Sequence, residues 1–371
     1  MLENLKKLLE YCEENIDLAE RKAAIERQKK CYRFEKLDHP CVDFGFPHSA
    51  SQFKRGYSRE EIHEDMEKMM YNEIRSRLSL LESRNSGVPM IRADYGIGCL
   101  PSIFGVESII VDGNRPWVKH VGKEGVKQIL AKGMPDYRNG FGQRMIDTYQ
   151  FYAQVLADYP KCREAIKFYH PDFQGPFDVA HLMYGSDIYM DLYDEPELIH
   201  ELLQLVTATY IDCMKKIKPY LNDEEDGYCY HWGQLYPGSV VVRNDTAVNL
   251  SPDMYAEFVA PYDSEVLRAF GTGSVHFCGR ADQWIFDMVK CKDIAGFNFG
   301  WMEKVVFGQT YLDFLKPAFT DQKRPIIGYR LTEEEFKTVD LDTYGTGISF
   351  TVSAPTKQAA IELAKLRGIE L

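Results

Sequence analysis

The chain has 371 residues, of which 45% are hydrophobic and 27% are charged, a composition that excludes a disordered or fibrous protein. Its net charge of -12, without any basic block, would repel a phosphate backbone and argues against nucleic acid as a partner. Residues 1–28 have the pattern of a charged amphipathic helix and not of a signal peptide, and no segment approaches the about 18 apolar residues of a membrane span. We therefore predict a cytoplasmic protein without membrane contact.

The nine cysteines are odd in number and lack the spacing of a disulfide framework. This pattern favours reduced thiols in a reducing compartment, in agreement with a cytoplasmic location. Most of them are expected to be buried, as Cys213 would be on the apolar face of a predicted helix.

Apolar residues recur with helical spacing along the whole chain. The predicted helices lie at residues 2–30, 59–85, 125–132, 144–158, 196–218, 252–270, 281–290, 310–319, 332–338 and 357–366. Short β-prone runs lie between them, at residues 41–44, 89–93, 165–169, 228–231, 239–243, 274–277, 296–299, 325–329 and 347–352. Sustained alternation of helices and strands predicts a mostly parallel sheet.

The number of strands is close to the eight of a (β/α)8 barrel, with one hairpin to spare. No low-complexity linker and no repeat of fixed period interrupts the alternation. We therefore predict the α/β class, as one (β/α)8 TIM barrel with an N-terminal helical extension. The extension, which includes a first short strand, is placed at residues 1–84 and the barrel at residues 85–371.

A histidine and a cysteine stand two residues apart at the end of a predicted strand. Because side chains alternate along a strand, His276 and Cys278 point to the same face. The carboxyl ends of parallel strands are where α/β proteins bind ligands, and imidazole and thiolate are zinc ligands. A catalytic zinc needs about three protein ligands, so the pair alone is incomplete. The alternative is a buried cysteine that packs as a small hydrophobe beside a hydrogen-bonded histidine.

Three residues at or just after the ends of other predicted strands are candidates to complete a metal site. His231 ends the strand at residues 228–231, Asp245 follows residues 239–243, and Glu303 follows residues 296–299. Asp245 is also a candidate catalytic carboxylate. Each residue has a structural alternative, since a strand-end histidine can be a hydrogen-bonding residue and a loop aspartate can cap a turn.

Three further polar residues are candidates for substrate chemistry. Arg243 and Asn244, which adjoin Asp245, could bind a substrate carboxylate. Asp94, after the strand at residues 89–93, is a candidate catalytic carboxylate. The structural alternatives are a salt bridge for the arginine and a helix cap for the aspartate.

Several segments together resemble a known superfamily. A Gly-Pro-Phe sequence at residues 175–177 precedes an acidic, leucine-rich segment at residues 194–203. Leu-Ser-Pro-Asp-Met-Tyr at residues 250–255 continues to the His-Phe-Cys-Gly of residues 276–279. In order and spacing, this pattern across roughly residues 85–366 resembles the uroporphyrinogen decarboxylase superfamily. The resemblance implies a (β/α)8 barrel and one of two activities, namely uroporphyrinogen decarboxylation or zinc-dependent methyl transfer.

The decarboxylase branch is not matched at the residues that would bind its substrate. That branch has an arginine-rich motif after the first strand, whereas residues 43–49 contain no arginine. Leu182 stands where the decarboxylase has a tyrosine, and only Asp94 falls near its catalytic aspartate. Uroporphyrinogen is an octa-anion with eight carboxylates. Because the burial of unpaired carboxylates costs free energy, a pocket for this substrate needs cationic side chains as partners. We therefore expect a pocket without a cluster of arginines, and no turnover of uroporphyrinogen.

The methyltransferase branch is matched more closely. His276 and Cys278 correspond to the family's His-x-Cys zinc ligands, but its later cysteine is missing, because residues 347–353 contain none. Cys291 follows the pair too soon, so a substitute oxygen or nitrogen ligand is required. The resemblance implies zinc, a methylcorrinoid on a partner protein and a small-molecule thiol acceptor. The alternatives are a decarboxylase of another small or tetrapyrrole carboxylate, and a barrel that binds a small molecule without catalysis.

Overall fold

The computed structural model describes residues 1–53, 55–81, 83–110, 113, 116–279, 281–300, 305–306, 309–319 and 322–371. The strands in these residues are β1 (Val42–Gly45), β2 (Met90–Ile91), β3 (Ser108–Ile109), β4 (Trp117–Val118), β5 (Lys167–Phe168), β6 (Tyr228–His231), β7 (Gln234–Pro237), β8 (Val241–Arg243), β9 (Gly273–Phe277), β10 (Ile294–Phe299), β11 (Val305–Val306), β12 (Gln309–Thr310), β13 (Ile326–Leu331) and β14 (Ile348–Ser353).

The α-helices of the described residues lie between these strands and at the N-terminus. They are α1 (Glu3–Asn15), α2 (Leu18–Tyr32), α3 (Arg59–Glu64), α4 (Met66–Arg75), α5 (Cys99–Ile103), α6 (Gly122–Lys132), α7 (Gly142–Leu156), α8 (Pro160–Ala165), α9 (Pro176–Tyr184), α10 (Ile188–Asp194), α11 (Pro196–Ile217), α12 (Pro252–Phe258), α13 (Ala260–Ala269), α14 (Ile285–Met288), α15 (Tyr311–Phe319), α16 (Glu333–Thr338), α17 (Leu341–Tyr344) and α18 (Lys357–Lys365).

The predicted parallel sheet is present. Six strands form one sheet in the order β1-β14-β13-β10-β9-β8, and every pair in it is parallel. β2 and β5 form a second parallel pair. The fold is therefore mixed α/β, in which parallel strands alternate with helices as the periodicity predicts.

Hydrogen bonds connect the two parallel sheets at both edges. At β1, the Asn85 side chain donates to the Phe44 carbonyl at 2.7 Å and accepts from the Phe44 amide at 2.9 Å. At β8, the Gly175 amide donates to the Arg243 carbonyl at 2.7 Å. The chain segments beside β2 and β5 are thereby attached to the two edge strands of the six-stranded sheet.

Three predicted helices are interrupted, each for a local reason. The helix predicted at residues 2–30 divides before Asp17, whose side chain accepts from the amides of Ala19 and Glu20 and starts α2. The helix predicted at residues 59–85 divides at Asp65, which caps α4 in the same way. The helix predicted at residues 252–270 divides at Val259, immediately before the first turn of α13 and its proline.

One predicted strand pairs with no parallel strand in a ladder. Residues 228–231 form β6, which pairs antiparallel with β7 through a two-residue turn at Trp232 and Gly233. Both turn residues have positive φ, 44° at Trp232 and 84° at Gly233, as the tightest hairpin turns require. This hairpin accounts for the ninth predicted strand, one more than the eight of a (β/α)8 barrel.

The N-terminal helices pack on the rest of the molecule. α1 contacts α4 and α8, and α2 contacts β14 and β7. One hydrophobic core extends from Leu5 in α1 to Ile369 near the C-terminus. Of the nine cysteines, all but Cys278 and Cys291 are buried, in agreement with the prediction. No described helix has the length and apolar character needed to cross a bilayer.

Candidate metal centre

Two adjacent strands bring three potential metal ligands together. β8 and β9 are parallel, and their register pairs Arg243 with His276. Asp245 and Cys278 each lie two residues further along their own strand direction, so they also become neighbours. The Asn244 amide, which donates to the His276 carbonyl at 2.7 Å, continues the pairing beyond the end of β8. Parallel register thus places these side chains at one edge of the sheet.

The three donor atoms are close enough to share one ion. Asp245 Oδ1, His276 Nε2 and Cys278 Sγ lie within 4.8 Å of one another. His276 Nε2 is 3.3 Å from Asp245 Oδ1 and 3.5 Å from Cys278 Sγ. Asp245 Oδ1 also accepts a hydrogen bond from the Cys278 amide at 2.7 Å. We call Asp245, His276 and Cys278 the metal triad. One carboxylate, one imidazole and one thiol are a donor set that zinc accepts.

A neighbouring amide orients the histidine. His276 Nδ1 lies 2.5 Å from Oδ1 of Asn298, which is paired with it in register on β10. Asn298 Nδ2 donates in turn to the Ile327 carbonyl at 2.6 Å, which fixes the orientation of the amide. An amide oxygen can only accept, so Nδ1 carries a proton and Nε2 is the ring nitrogen that faces Asp245 and Cys278. Metal-binding histidines are generally held by such an outer partner.

The absence of a side chain at Gly300 makes room for the thiol. A Cβ atom added at Gly300 would overlap Cys278 Sγ and lie 3.2 Å from Cys278 Cβ. Gly279, directly after the cysteine, has φ of +102°, a conformation that other residues rarely adopt. Both glycines therefore shape the chain around the sulfur.

Asp178, on the buried helix α9, holds the loop that carries Asp245. The Thr246 amide donates to both carboxylate oxygens of Asp178, at 3.0 and 3.1 Å. Burial, together with the charge of Asp245, raises the pKa of Asp178 well above its usual value. The pKa of Asp245 itself is lowered, because its hydrogen bonds to His276 and Cys278 outweigh its burial. Asp245 is therefore ionised, as a metal ligand must be.

The metal triad forms part of the wall of a cavity of about 650 Å³. The remainder of the wall is rich in charged residues, with arginines and carboxylates from separate elements. They are Arg59, Arg77, Arg92, Arg243 and Arg330, with Glu73, Asp94 and Asp172. The expectation of a pocket without an arginine cluster is therefore wrong. These arginines come from helices, strands and loops far apart in the chain, so no contiguous sequence motif predicts that they line one cavity.

Three of these arginines and two aspartates form a continuous arginine–aspartate chain. Asp94 pairs with Arg59 at 2.9 Å and with Arg92 at 2.8 Å. Asp172 pairs with Arg92 at 3.1 Å and also with Arg243. Burial would raise the pKa of Asp94, but the charges of Arg92 and Arg59 outweigh it and lower the pKa to about 2. Asp94 is therefore a counter-ion in this chain and holds no proton to donate near neutral pH.

The other predicted site residues that the structure describes do not join the metal triad. His231 is fully buried, and its Nε2 lies 2.6 Å from Arg243 Nη2, from which it accepts a hydrogen bond. Burial lowers the pKa of His231 well below its usual value, so the ring is neutral. Asn244 is fully buried, and its side-chain amide donates to Asp263. Glu303 lies outside the described residues.

Trp232 and Glu73 are among the site residues that were not singled out from the sequence. Trp232 lies between the metal triad and the arginine–aspartate chain. Its ring centroid is 4.4 Å from the Arg243 guanidinium and 4.5 Å from the centroid of the His276 ring. Glu73 of α4 lines the cavity, and burial together with the charge of Asp94 raises its pKa to about 7. A tryptophan in a turn position that favours glycine or asparagine was a usable signal for Trp232. Glu73 carried no such signal.

Comparisons with known proteins place the fold. No family model matches the chain, and no curated protein matches it in sequence. A solved structure described as a methyltransferase from Methanosarcina mazei is similar, with a TM-score of 0.63 over 93% of this chain and 97% of that chain. The two sequences are 14% identical. At this identity the likeness establishes a shared fold and nothing more.

Proposed function

We propose that this protein is a metal-dependent methyltransferase that moves a methyl group from a corrinoid protein to a small-molecule thiol. The observation that carries this proposal is the convergence of Asp245, His276 and Cys278, with Asn298 orienting the histidine so that its Nε2 faces the other two. The shared fold with a protein described as a methyltransferase supports the reaction class. The donor, the acceptor and the metal are inferences from the sequence resemblance and the donor set.

The residues present fit zinc. Asp245 replaces the cysteine that the sequence lacks near its last strand, and the three ligands leave a further position for a substrate atom. Zinc, when bound, lowers the pKa of a coordinating thiol and stabilises the thiolate at neutral pH. His276 would contribute Nε2 as the donor atom, because Nδ1 is bound to Asn298. Trp232 and Arg243 form the wall beside the ligands and limit where an acceptor can lie.

We further propose that the eight parallel strands close into a (β/α)8 barrel. In chain order these strands are β1, β2, β5, β8, β9, β10, β13 and β14. A closed barrel needs β2 beside β1 and β5 beside β8, and the hydrogen bonds of Asn85 to β1 and of Gly175 to β8 support both neighbours. Residues 1–84 would then supply α1 to α4 and the first strand, and residues 85–371 the rest. The corrinoid protein would dock over the edge that carries the metal triad, in the cytoplasm.

Metal analysis tests this function directly. The purified protein should contain about one zinc per chain, Cys278→Ala should lose it, and Cys291→Ala should keep it, because Cys291 contacts Ser264 and Asp293 and not the triad. The zinc-loaded protein should then methylate a thiol with free methylcobalamin. A protein that binds no zinc, or whose methyl transfer persists in Cys278→Ala, would contradict the proposal.

The arginine-rich cavity favours a second candidate, the decarboxylation of a carboxylate substrate. Guanidinium groups pair with carboxylates in a bidentate manner, and five arginines of the described residues line this cavity. This reaction would not depend on the metal triad. Release of carbon dioxide that is unaffected by Cys278→Ala would favour the second candidate over methyl transfer.

A further inference from the structure

We propose that a second cavity, between α12, α13 and α14, binds a small molecule with a primary amide group through the side chains of Asp263 and Trp284. This cavity has a volume of about 180 Å³, whereas a single water molecule needs only about 10–15 Å³. Its described wall comes from the three helices and from Trp284, Cys291 and Ile294, and the metal triad contributes nothing to it. The inference therefore goes beyond the proposed function and does not rest on it.

Two buried polar atoms in the wall of this cavity lack a partner among the described residues. Asp263 is 2% exposed, and one of its carboxylate oxygens accepts from the Asn244 amide, but its Oδ1 is unpaired. Trp284 is 1% exposed, and its Nε1 is likewise unpaired. Because buried polar atoms in proteins are nearly always paired, two unpaired ones in the wall of one cavity indicate a position for a ligand.

The chemistry of the two atoms defines the class of ligand. An ionised Asp263 can only accept a hydrogen bond at Oδ1, and the indole of Trp284 can only donate one at Nε1. The ligand must therefore carry one donor and one acceptor. A primary amide carries both on adjacent atoms, whereas an ammonium group has no acceptor and a carboxylate has no donor.

The rest of the wall suits a short hydrocarbon chain beside the amide. The Tyr255 ring stacks on the Trp284 ring with centroids 4.1 Å apart, and Pro252 and Met288 add apolar surface. Burial raises the pKa of Asp263 to about 7, and the hydrogen bond from Asn244 offsets this only in part. The carboxylate is therefore mostly ionised at pH 8, which sets the pH of the experiment.

The experiment compares three molecules with the same carbon skeleton, propionamide, 2-butanone and propionamidinium, by ligand-observed NMR titration at pH 8. We expect propionamide to bind at least about fivefold more tightly than 2-butanone, because the ketone has no N–H group for Asp263. It should exceed propionamidinium as well, because the amidinium has no acceptor for Trp284. In isotope-labelled protein, propionamide should shift one of the indole N–H resonances of the four tryptophans, and Trp284→Phe should remove that resonance.

Matched variants test the two side chains separately. Asp263→Asn should abolish the preference for propionamide over 2-butanone, because the new amide must turn its oxygen to Asn244 and present its NH2 group to the cavity. Asp287→Asn should keep the preference, since Asp287 lies in the same wall but is exposed and paired with Lys290. Trp284→Phe keeps the aromatic stack and should lower the affinity for propionamide about fivefold, whereas Trp117→Phe, at an exposed tryptophan, should not lower it.

The outcome for the wild-type protein decides the inference even if a variant fails to fold. Equal binding of propionamide and 2-butanone, or no binding of either, would overturn the site. Tighter binding of propionamidinium would show that charge selects the ligand and would overturn the amide class. Cys278→Ala should bind propionamide like the wild type, so a failure of the metal-dependent function would leave this inference intact.

Discussion

The replacement of Gly300 by alanine offers the most direct test of the metal triad. The added Cβ would lie 3.1 Å from Cα and 3.2 Å from Cβ of Cys278 and would overlap its Sγ. Non-bonded carbon atoms prefer about 3.5–4.0 Å, so the thiol must move by about 1 Å or rotate away. Metal–ligand distances tolerate only about 0.2 Å, and such a displacement would therefore remove one of three ligands.

The expected result is a selective loss of metal binding. An outer-shell partner is worth about 10–100-fold in metal affinity, so the loss of a direct ligand should lower zinc affinity by at least about 100-fold. Cys278 is exposed and its side chain can turn towards solvent, so the free energy of unfolding should fall by less than about 1 kcal/mol. Calorimetric zinc titration and chemical denaturation measure the two quantities.

Gly45→Ala is the matched control. A Cβ at Gly45 would meet Ser353 Oγ at 3.7 Å and the Val352 carbonyl oxygen at 3.9 Å, which are ordinary contacts far from the triad. This variant should bind zinc like the wild type. Wild-type zinc affinity in Gly300→Ala would refute the reasoning, because Sγ would then not be needed as a ligand.

Three further results are expected. Asn298→Ala should lower zinc affinity by about 10–100-fold, as measured by competition with a chelator, because the His276 proton loses its acceptor; unchanged affinity would contradict this role. Zinc at 100 times its Kd should raise the free energy of unfolding of the wild type by about 2.7 kcal/mol and should not stabilise Cys278→Ala in denaturant titrations. Burial raises the pKa of Asp263 to about 7, so the wild-type protein loses stability as the pH rises from about 4 to 7. Asp263→Asn removes this ionisation and should therefore stabilise the protein at pH 8 by up to about 4 kcal/mol. The stabilisation should vanish near pH 4, and a gain that is equal at both pH values would show that this titration is not its cause.

Patterns within short stretches of sequence were sufficient for most strands and longer helices, though not for α9, and for the first two ligands. Alternation along one strand placed His276 and Cys278 on a common face, and they share the cavity as that period requires. Helix interruptions at Asp17 and Asp65 also have a local cause, since an aspartate side chain that binds nearby amides competes with helix continuation.

Only the tertiary structure decided which distant residues meet. Asp245 was one of several candidates for the third ligand, and the parallel register of β8 and β9 brought it, and not His231, to Cys278. The arginine-lined wall and Asn298 could not be predicted, because their positions depend on pairings between elements separated by tens to hundreds of residues. Sequence periodicity determines the direction of a side chain on its own element, whereas the packing of the elements determines its neighbours.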